Sequence, residues 1–262
     1  MELELTGRHA LVCGASHGIG QAAAIELAKL GASVTLLARS REALEAALTT
    51  LPKFGDAQAH GIVVADMNDH AALRARVEDL ATTRPVHILV NNTGGPPGGP
   101  AHTAALDDFR IAFNQHLMAA QIVLQAVLPG MRAARWGRIV NVISTSVKEP
   151  IRNLGVSNTI RGAVASWAKT IATELGPFGI TVNNVLPGYT KTQRLEQVIG
   201  DRARASGQSA EAVGKAMLAS VPLGRFAEAS EIAAVVAFLA SPAAGYVNGI
   251  NVPVDGGRMQ SL

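Results

Sequence analysis

Three glycines, Gly14, Gly18 and Gly20, stand between a short apolar run at residues 10–13 and an alanine-rich segment carrying Ala24, Ile25, Leu27, Ala28 and Leu30. The run reads as a buried strand and the segment as a helix, so the glycines occupy the turn between them. Glycine in such a turn admits backbone angles closed to other residues and lets a ligand come close to the main chain. Free N–H groups and the helix dipole then favour an anion at the start of the helix. The predicted chemistry is binding of a dinucleotide pyrophosphate, with Gly14, Ser16, His17, Gly18, Ile19 and Gly20 as the candidate cradle. A second glycine-rich stretch, residues 94–100, excludes helix and strand alike. It follows a strand, which puts it at the ligand-binding end of an open α/β sheet.

These residues need a scaffold, and the chain supplies strands and helices in alternation. Strands are predicted at 33–38, 62–65, 86–90, 138–143, 180–185 and 250–254. Helices are predicted at 41–51, 71–81, 156–175 and 231–239. A long helical region at 105–134 carries a predicted break near Asn114 and a disturbance at Pro129-Gly130. Residues 186–222 read as polar and irregular. This alternation implies one α/β domain, a Rossmann-type doubly wound parallel sheet of seven strands with helices on both faces.

Composition narrows the function classes. With 48% hydrophobic and 16% charged residues over 262 positions, the chain folds around a substantial core. A net charge of +3 comes from scattered basic residues, which argues against a nucleic-acid or membrane partner. One cysteine, Cys13, excludes intrachain disulfides and cysteine metal clusters, and the seven histidines show no metal-ligand spacing. No metal is expected. The N-terminus lacks a signal-peptide pattern and no apolar run approaches membrane-spanning length, so the expected location is cytoplasmic.

The motifs resemble the short-chain dehydrogenase/reductase family, 3-oxoacyl-[acyl-carrier-protein] reductase-like members in particular. The resemblance rests on Gly14-x-x-x-Gly18-Ile19-Gly20, Asp66, Asn91-Asn-Thr-Gly94, Gly137-Arg-Ile-Val-Asn-Val-Ile-Ser144, Pro187-Gly188 with Thr192, Val221-Pro-Leu-Gly-Arg-Phe226 and Val254-Asp-Gly-Gly257. It covers nearly the whole chain. It implies bound NAD(H) or NADP(H) and a homo-oligomer, tetramer first and dimer second. Asp66 and Met67 would contact the adenine, Asn92 and Gly94 would line the cofactor cleft, and Thr192 would hold the nicotinamide carboxamide. Asp66 has a second reading as a helix N-cap. Cys13 and Thr93 are small departures from the family pattern.

Ala38 occupies the position where NAD-preferring members carry an acid, and Arg39 follows it. A guanidinium pairs well with a 2′-phosphate, and His17 could add a second donor, so NADP(H) is expected over NAD(H).

The family's chemistry uses Asn, Ser and a Tyr-x-x-x-Lys helix. Counting from Ser144 at the family's spacing lands on Ser157 for the Tyr and Arg161 for the Lys, and His116 stands where the family has Asn. Only Ser144 of the four is retained. A serine hydroxyl is a poor proton donor near neutrality, and arginine stays charged. His116, with an ordinary imidazole pKa near 6.5, is then the expected proton source. Tyr189 is expected near the nicotinamide in a packing role, and Tyr246 in a structural one.

Three readings compete. One is a working NADP(H) oxidoreductase with a rebuilt acid. Another is a cofactor-binding protein of regulatory or scaffolding role. The third is a non-redox enzyme on the same fold. The first is favoured by the retained motifs and by residues 189–222, sized for a substrate lid. Lys191, Arg194, Arg202, Arg204 and Lys215 give that segment positive charge; such charges either mark a solvated face or meet the substrate, so the expected partner is a small molecule, anionic in the second case.

Overall fold

The computed structural model describes residues 1–261. Its strands are β1 (His9–Cys13), β2 (Ser33–Ala38), β3 (Gly61–Val64), β4 (Ile88–Asn91), β5 (Gly137–Val142), β6 (Ile180–Pro187) and β7 (Asn251–Val254). They form one parallel sheet in the order β3-β2-β1-β4-β5-β6-β7. Chain order reverses between β1 and β4, so a crevice opens there at the carboxyl ends of the strands. The expected Rossmann-type sheet is present.

The central strands are buried on both faces, which explains their near-continuous apolar runs. Helix α1 (Gly18–Lys29), α2 (Arg41–Leu48) and α9 (Ala229–Ala240) cover one face, through Ala24, Leu27, Leu44, Ile232 and Val236. On the other lie α3 (His70–Thr83), α5 (Ala119–Ala134) and α6 (Gly155–Leu175), packed through Leu73, Val123, Val127, Met131 and Ala168.

The region predicted to break near Asn114 does not break. Helix α4 (Leu106–Phe113) passes through a π-helical turn, Asn114–Met118, into α5. One wide turn rather than an interruption sits where the sequence showed an irregularity, as is common at functional sites. Pro129 lies inside α5 on an exposed face, and the helix continues to Ala134 before Arg135 turns left-handed (φ 48°). The continuous helix Leu106–Ala134 reaches 29 residues with a mean hydropathy of 1.3 in its most apolar window, so an apolar stretch of membrane-spanning length does exist. Its buried stripe packs on the sheet like a core helix.

The second correction concerns residues 186–222. Two helices, α7 (Gln193–Ser206) and α8 (Ala210–Ala219), form there and pack through Leu195, Val213 and Met217 against Tyr189 and Phe226. Their charged outer faces masked a narrow apolar stripe in the sequence.

Candidate active site

The glycine turn is built by close approach. Gly14 and Gly18 take positive φ, 60° and 61°. A Cβ on Gly14 would lie 2.5 Å from the Asn92 carbonyl oxygen, and one on Gly20 would lie 2.2 Å from the Gly14 carbonyl oxygen. Asn92 Nδ2 donates to that same Gly14 oxygen at 3.1 Å. These two glycines therefore let the exits of β1 and β4 pack together. His17 precedes α1 in an extended conformation and its side chain makes no cap; the ring Nδ1 instead meets Ser16 Oγ at 2.9 Å. The first-turn N–H groups of Gly18, Ile19 and Gly20 are left uncapped, whereas Ser40 caps α2 and Asp69 caps α3. An uncapped, glycine-lined helix start at the switch point fits a diphosphate.

Around this turn, Arg39 is exposed directly beyond β2, with Ala38 before it. Asp66 is not a helix cap: its Oδ1 accepts from the N–H and side-chain amide of Asn68 (2.9 and 3.2 Å), and α3 starts only at His70. That leaves Asp66 at the exit of β3, beside buried Met67. Gly94 is exposed, with open space where a Cβ would stand. Pro187 ends β6, and Gly188 lies so close to Asp255 that a Cβ would sit 2.7 Å from its Cα. Thr192 opens α7, its methyl facing Gly18.

The candidate catalytic residues gather at the exits of β4 and β5 and on α6. Ser144 Oγ accepts from the Ser146 N–H at 3.1 Å, which leaves its own proton free to donate. Ser157, one turn before Arg161 on α6, is buried and its hydroxyl has no partner among the described residues. Arg161 is 8% exposed and donates to the carbonyls of Val142 (3.0 Å) and Thr93 (3.3 Å). Among the described residues no carboxylate pairs with it. Burial, and then Arg194, pull its pKa down to about 10, so it remains charged at neutral pH.

His116 is brought into this group but not as an acid. It lies on the π-helical turn, hydrogen-bonded through Nδ1 to Thr93 Oγ1, with Nε2 buried and unpartnered among protein atoms. Burial first, and the Arg161 charge second, hold its pKa down at about 2. The expectation of an imidazole titrating near 6.5 is thus corrected: the neighbouring guanidinium and the lost water keep this ring neutral. His116, Asn91, Asn141, Cys13 and Arg161 line a small cavity of about 20 Å³, the size of one water molecule. Cys13 contributes no reactive thiol there, since burial pushes its pKa up to about 12.

The sequence missed two features. Asn91, Asn141, Asn184 and Asn251 stand in register on four neighbouring strands, joined amide to amide by three hydrogen bonds of 2.8 Å. Only strand register reveals that ladder: Asn91 and Asn141 lie at or next to the ends of their strands, Asn184 inside β6 and Asn251 at the start of β7. The other is the C-terminal tail. Arg258 Nη1 donates to Thr145 Oγ1 at 3.3 Å, and its guanidinium lies 4.7 Å from the centre of the Tyr189 ring. Tyr189 also packs edge-on against Phe226, the packing role expected of it. Tyr246 departs from its expected structural role: its side chain is fully exposed.

Sheet order, switch point and uncapped glycine turn define a Rossmann-type α/β protein. A family model described as enoyl-(acyl carrier protein) reductase matches residues 14–258. The 3-oxoacyl-[acyl-carrier-protein] reductase of Pseudomonas aeruginosa is 36% identical, over 99% of this chain and 100% of its own. The NADPH-dependent reductase BacG of Bacillus subtilis is 29% identical, over 98% and 100%. Among solved structures, L-sorbose reductase from Gluconobacter frateurii, complexed with NADPH and L-sorbose, superposes with a TM-score of 0.91 at 28% identity over the whole of both chains. The chain belongs to the short-chain dehydrogenase/reductase family.

Proposed function

We propose that the protein is an NADP(H)-dependent oxidoreductase that reduces the carbonyl of a small molecule, or oxidises the corresponding alcohol. The observation that carries this reading is the pairing, along one sheet edge, of the uncapped glycine turn after β1 with a donating Ser144 after β5. The names of the relatives, NADPH-dependent reductase and 3-oxoacyl-[acyl-carrier-protein] reductase, support it.

In this reading Gly14, Ser16, His17, Gly18, Ile19 and Gly20 hold the diphosphate, and Arg39 takes the 2′-phosphate. Asp66 and Met67 contact the adenine, and Asn92, Gly94, Pro187, Gly188 and Thr192 line the nicotinamide end. When bound, the cofactor supplies the hydride. Ser157 and Arg161 occupy the positions of the family's Tyr and Lys. Ser144 and Ser157 donate hydrogen bonds to the carbonyl oxygen, and the Arg161 charge stabilises the negative charge developing on it. Arg161 replaces the usual lysine as a fixed cation that holds the cofactor ribose but lends no proton. With His116 held neutral, the proton reaches the product oxygen from water in the cleft. Residues 189–222 act as the substrate lid.

Cofactor choice tests the reading first. NADPH should bind ten- to a hundredfold more tightly than NADH, the scale of about 1.5–3 kcal/mol for a charged hydrogen bond. The double change Ala38→Asp with Arg39→Ala should reverse that order in a fluorescence titration. Equal affinities in the unchanged protein would remove the role given to Arg39.

A further inference from the structure

Three arginines reach the segments that follow β4 and β5, and none has an ion-pair partner among the described residues. Arg161 rises from α6 to the carbonyls of Thr93 and Val142. Arg194, second residue of α7, donates to the Pro96 carbonyl at 2.7 Å, its guanidinium lying against Gly95. Arg258 comes from the tail to Thr145, the neighbour of Ser144. All three rest on neutral acceptors or an aromatic ring. Two other cations on the lid do have acids: Lys191 pairs with Glu228, and Arg204 with Asp201.

The nearby carboxylates are engaged elsewhere. Glu149 Oε1 accepts from the Gln260 and Ser261 N–H groups at 2.7 and 2.6 Å. Asp255 accepts from Gly257 and Met259 at 3.0 and 2.8 Å. Both acids thereby pin the tail that carries Arg258, rather than neutralising it. Glu149 and Asp201 soften the charges of Arg258 and Arg194 only from a distance. Arg161, buried without a counter-charge, has no such neighbour. A buried cation is costly unless paired, which applies to Arg161, and the half-buried Arg194 and Arg258 add two more cations without an ion-pair partner, so the three together favour an anion that the chain does not supply.

We propose that the substrate carries a carboxylate beside the carbonyl that reacts, bound by Arg258 at the cleft rim in the field of Arg161 and Arg194. A guanidinium fork matches a carboxylate in two parallel hydrogen bonds. Arg258, one residue along from the hydroxyl aimed at the carbonyl, selects oxo acids over neutral ketones. This rests on the proposed reductase reading, and the test separates the two.

NADPH affinity by fluorescence reports the cofactor site. Separately, pyruvate, acetoacetate and their methyl esters are titrated by calorimetry into free and NADP⁺-loaded protein, with inorganic phosphate as competitor. At least one oxo acid should bind about tenfold or more tightly than its ester, and phosphate should compete with it. Arg258→Gln should abolish the preference, Arg258→Lys should restore part of it, and NADPH affinity should hold in both. Equal binding of acid and ester, no binding of either, or a preference untouched by Arg258→Gln would overturn the proposal. Loss of NADPH binding in the unchanged protein would instead sink the reductase reading, while oxo-acid binding to the free protein would still report on Arg258.

Discussion

At the scale of single residues, the decisive fact is what burial does to a titratable ring. His116 is the proton source that the sequence alone nominates, because the family resemblance puts its tyrosine position at Ser157. The structure withdraws the water and adds a guanidinium, so the ring stays neutral down to a pKa of about 2. Its folded value is depressed below the unfolded one near 6.5. The linked stability is therefore full above pH 6.5 and declines as pH falls from there toward 2. Between pH 6.5 and 8 neither activity nor stability should respond to it. His116→Asn should accordingly leave the shape of the pH–rate profile unchanged across that window. A step near pH 6.5 that the substitution removes would reinstate the imidazole as the acid. In the proposed mechanism the reacting centre then relies on donors and fixed charge, Ser144, Ser157 and Arg161, to stabilise an oxyanion without supplying its proton.

At the scale of elements, neighbouring strands are tied by side chains as well as by backbone. The asparagine ladder does this across β4, β5, β6 and β7, with Asn141 making two of its three links. Asn141→Ala would leave the Asn91 amide and the buried Asn184 oxygen without partners, at a cost of about 2–5 kcal/mol. Urea unfolding should show a lower midpoint at an unchanged slope; a midpoint within error of the unchanged protein would mean water replaces the links. Much of this level was readable in advance. Apolar runs fixed the seven strands to within two residues, because strands buried on both faces leave a strong signal. Gly14, Gly18 and Gly20 announced the turn, since Gly14 and Gly20 meet contacts that only glycine tolerates and Gly18 takes a positive φ. Helices α7 and α8 were not readable, because α7 buries little beyond Leu195 on an otherwise polar face. Nor were the ladder and the Arg258 contact, which exist only once distant segments meet. The π-helical turn showed itself as an irregularity whose form the sequence left open.

At the scale of the whole molecule, apolar surface is left uncovered. Leu106, Ile111, Phe113 and Met118 are exposed along the α4–α5 helix, and Tyr246 and Ile250 near β7. Patches of this kind on a folded chain mark association surfaces. The protein is expected to form a symmetric homo-oligomer, a tetramer or else a dimer, with the α4–α5 helix at an interface. Light scattering at micromolar concentration would read this directly, and a monomer would refute it. We propose that this site transfers hydride with Ser157 and Arg161 at the positions where the family resemblance expects a tyrosine and a lysine. A single-turnover experiment, NADPH-loaded protein mixed with a panel of oxo acids, aldehydes and ketones, tests that claim most directly. The expected result is loss of enzyme-bound NADPH absorbance with one alcohol formed per NADPH consumed, for at least one compound. NADPH that binds tightly and stays reduced against every member of the panel would contradict it.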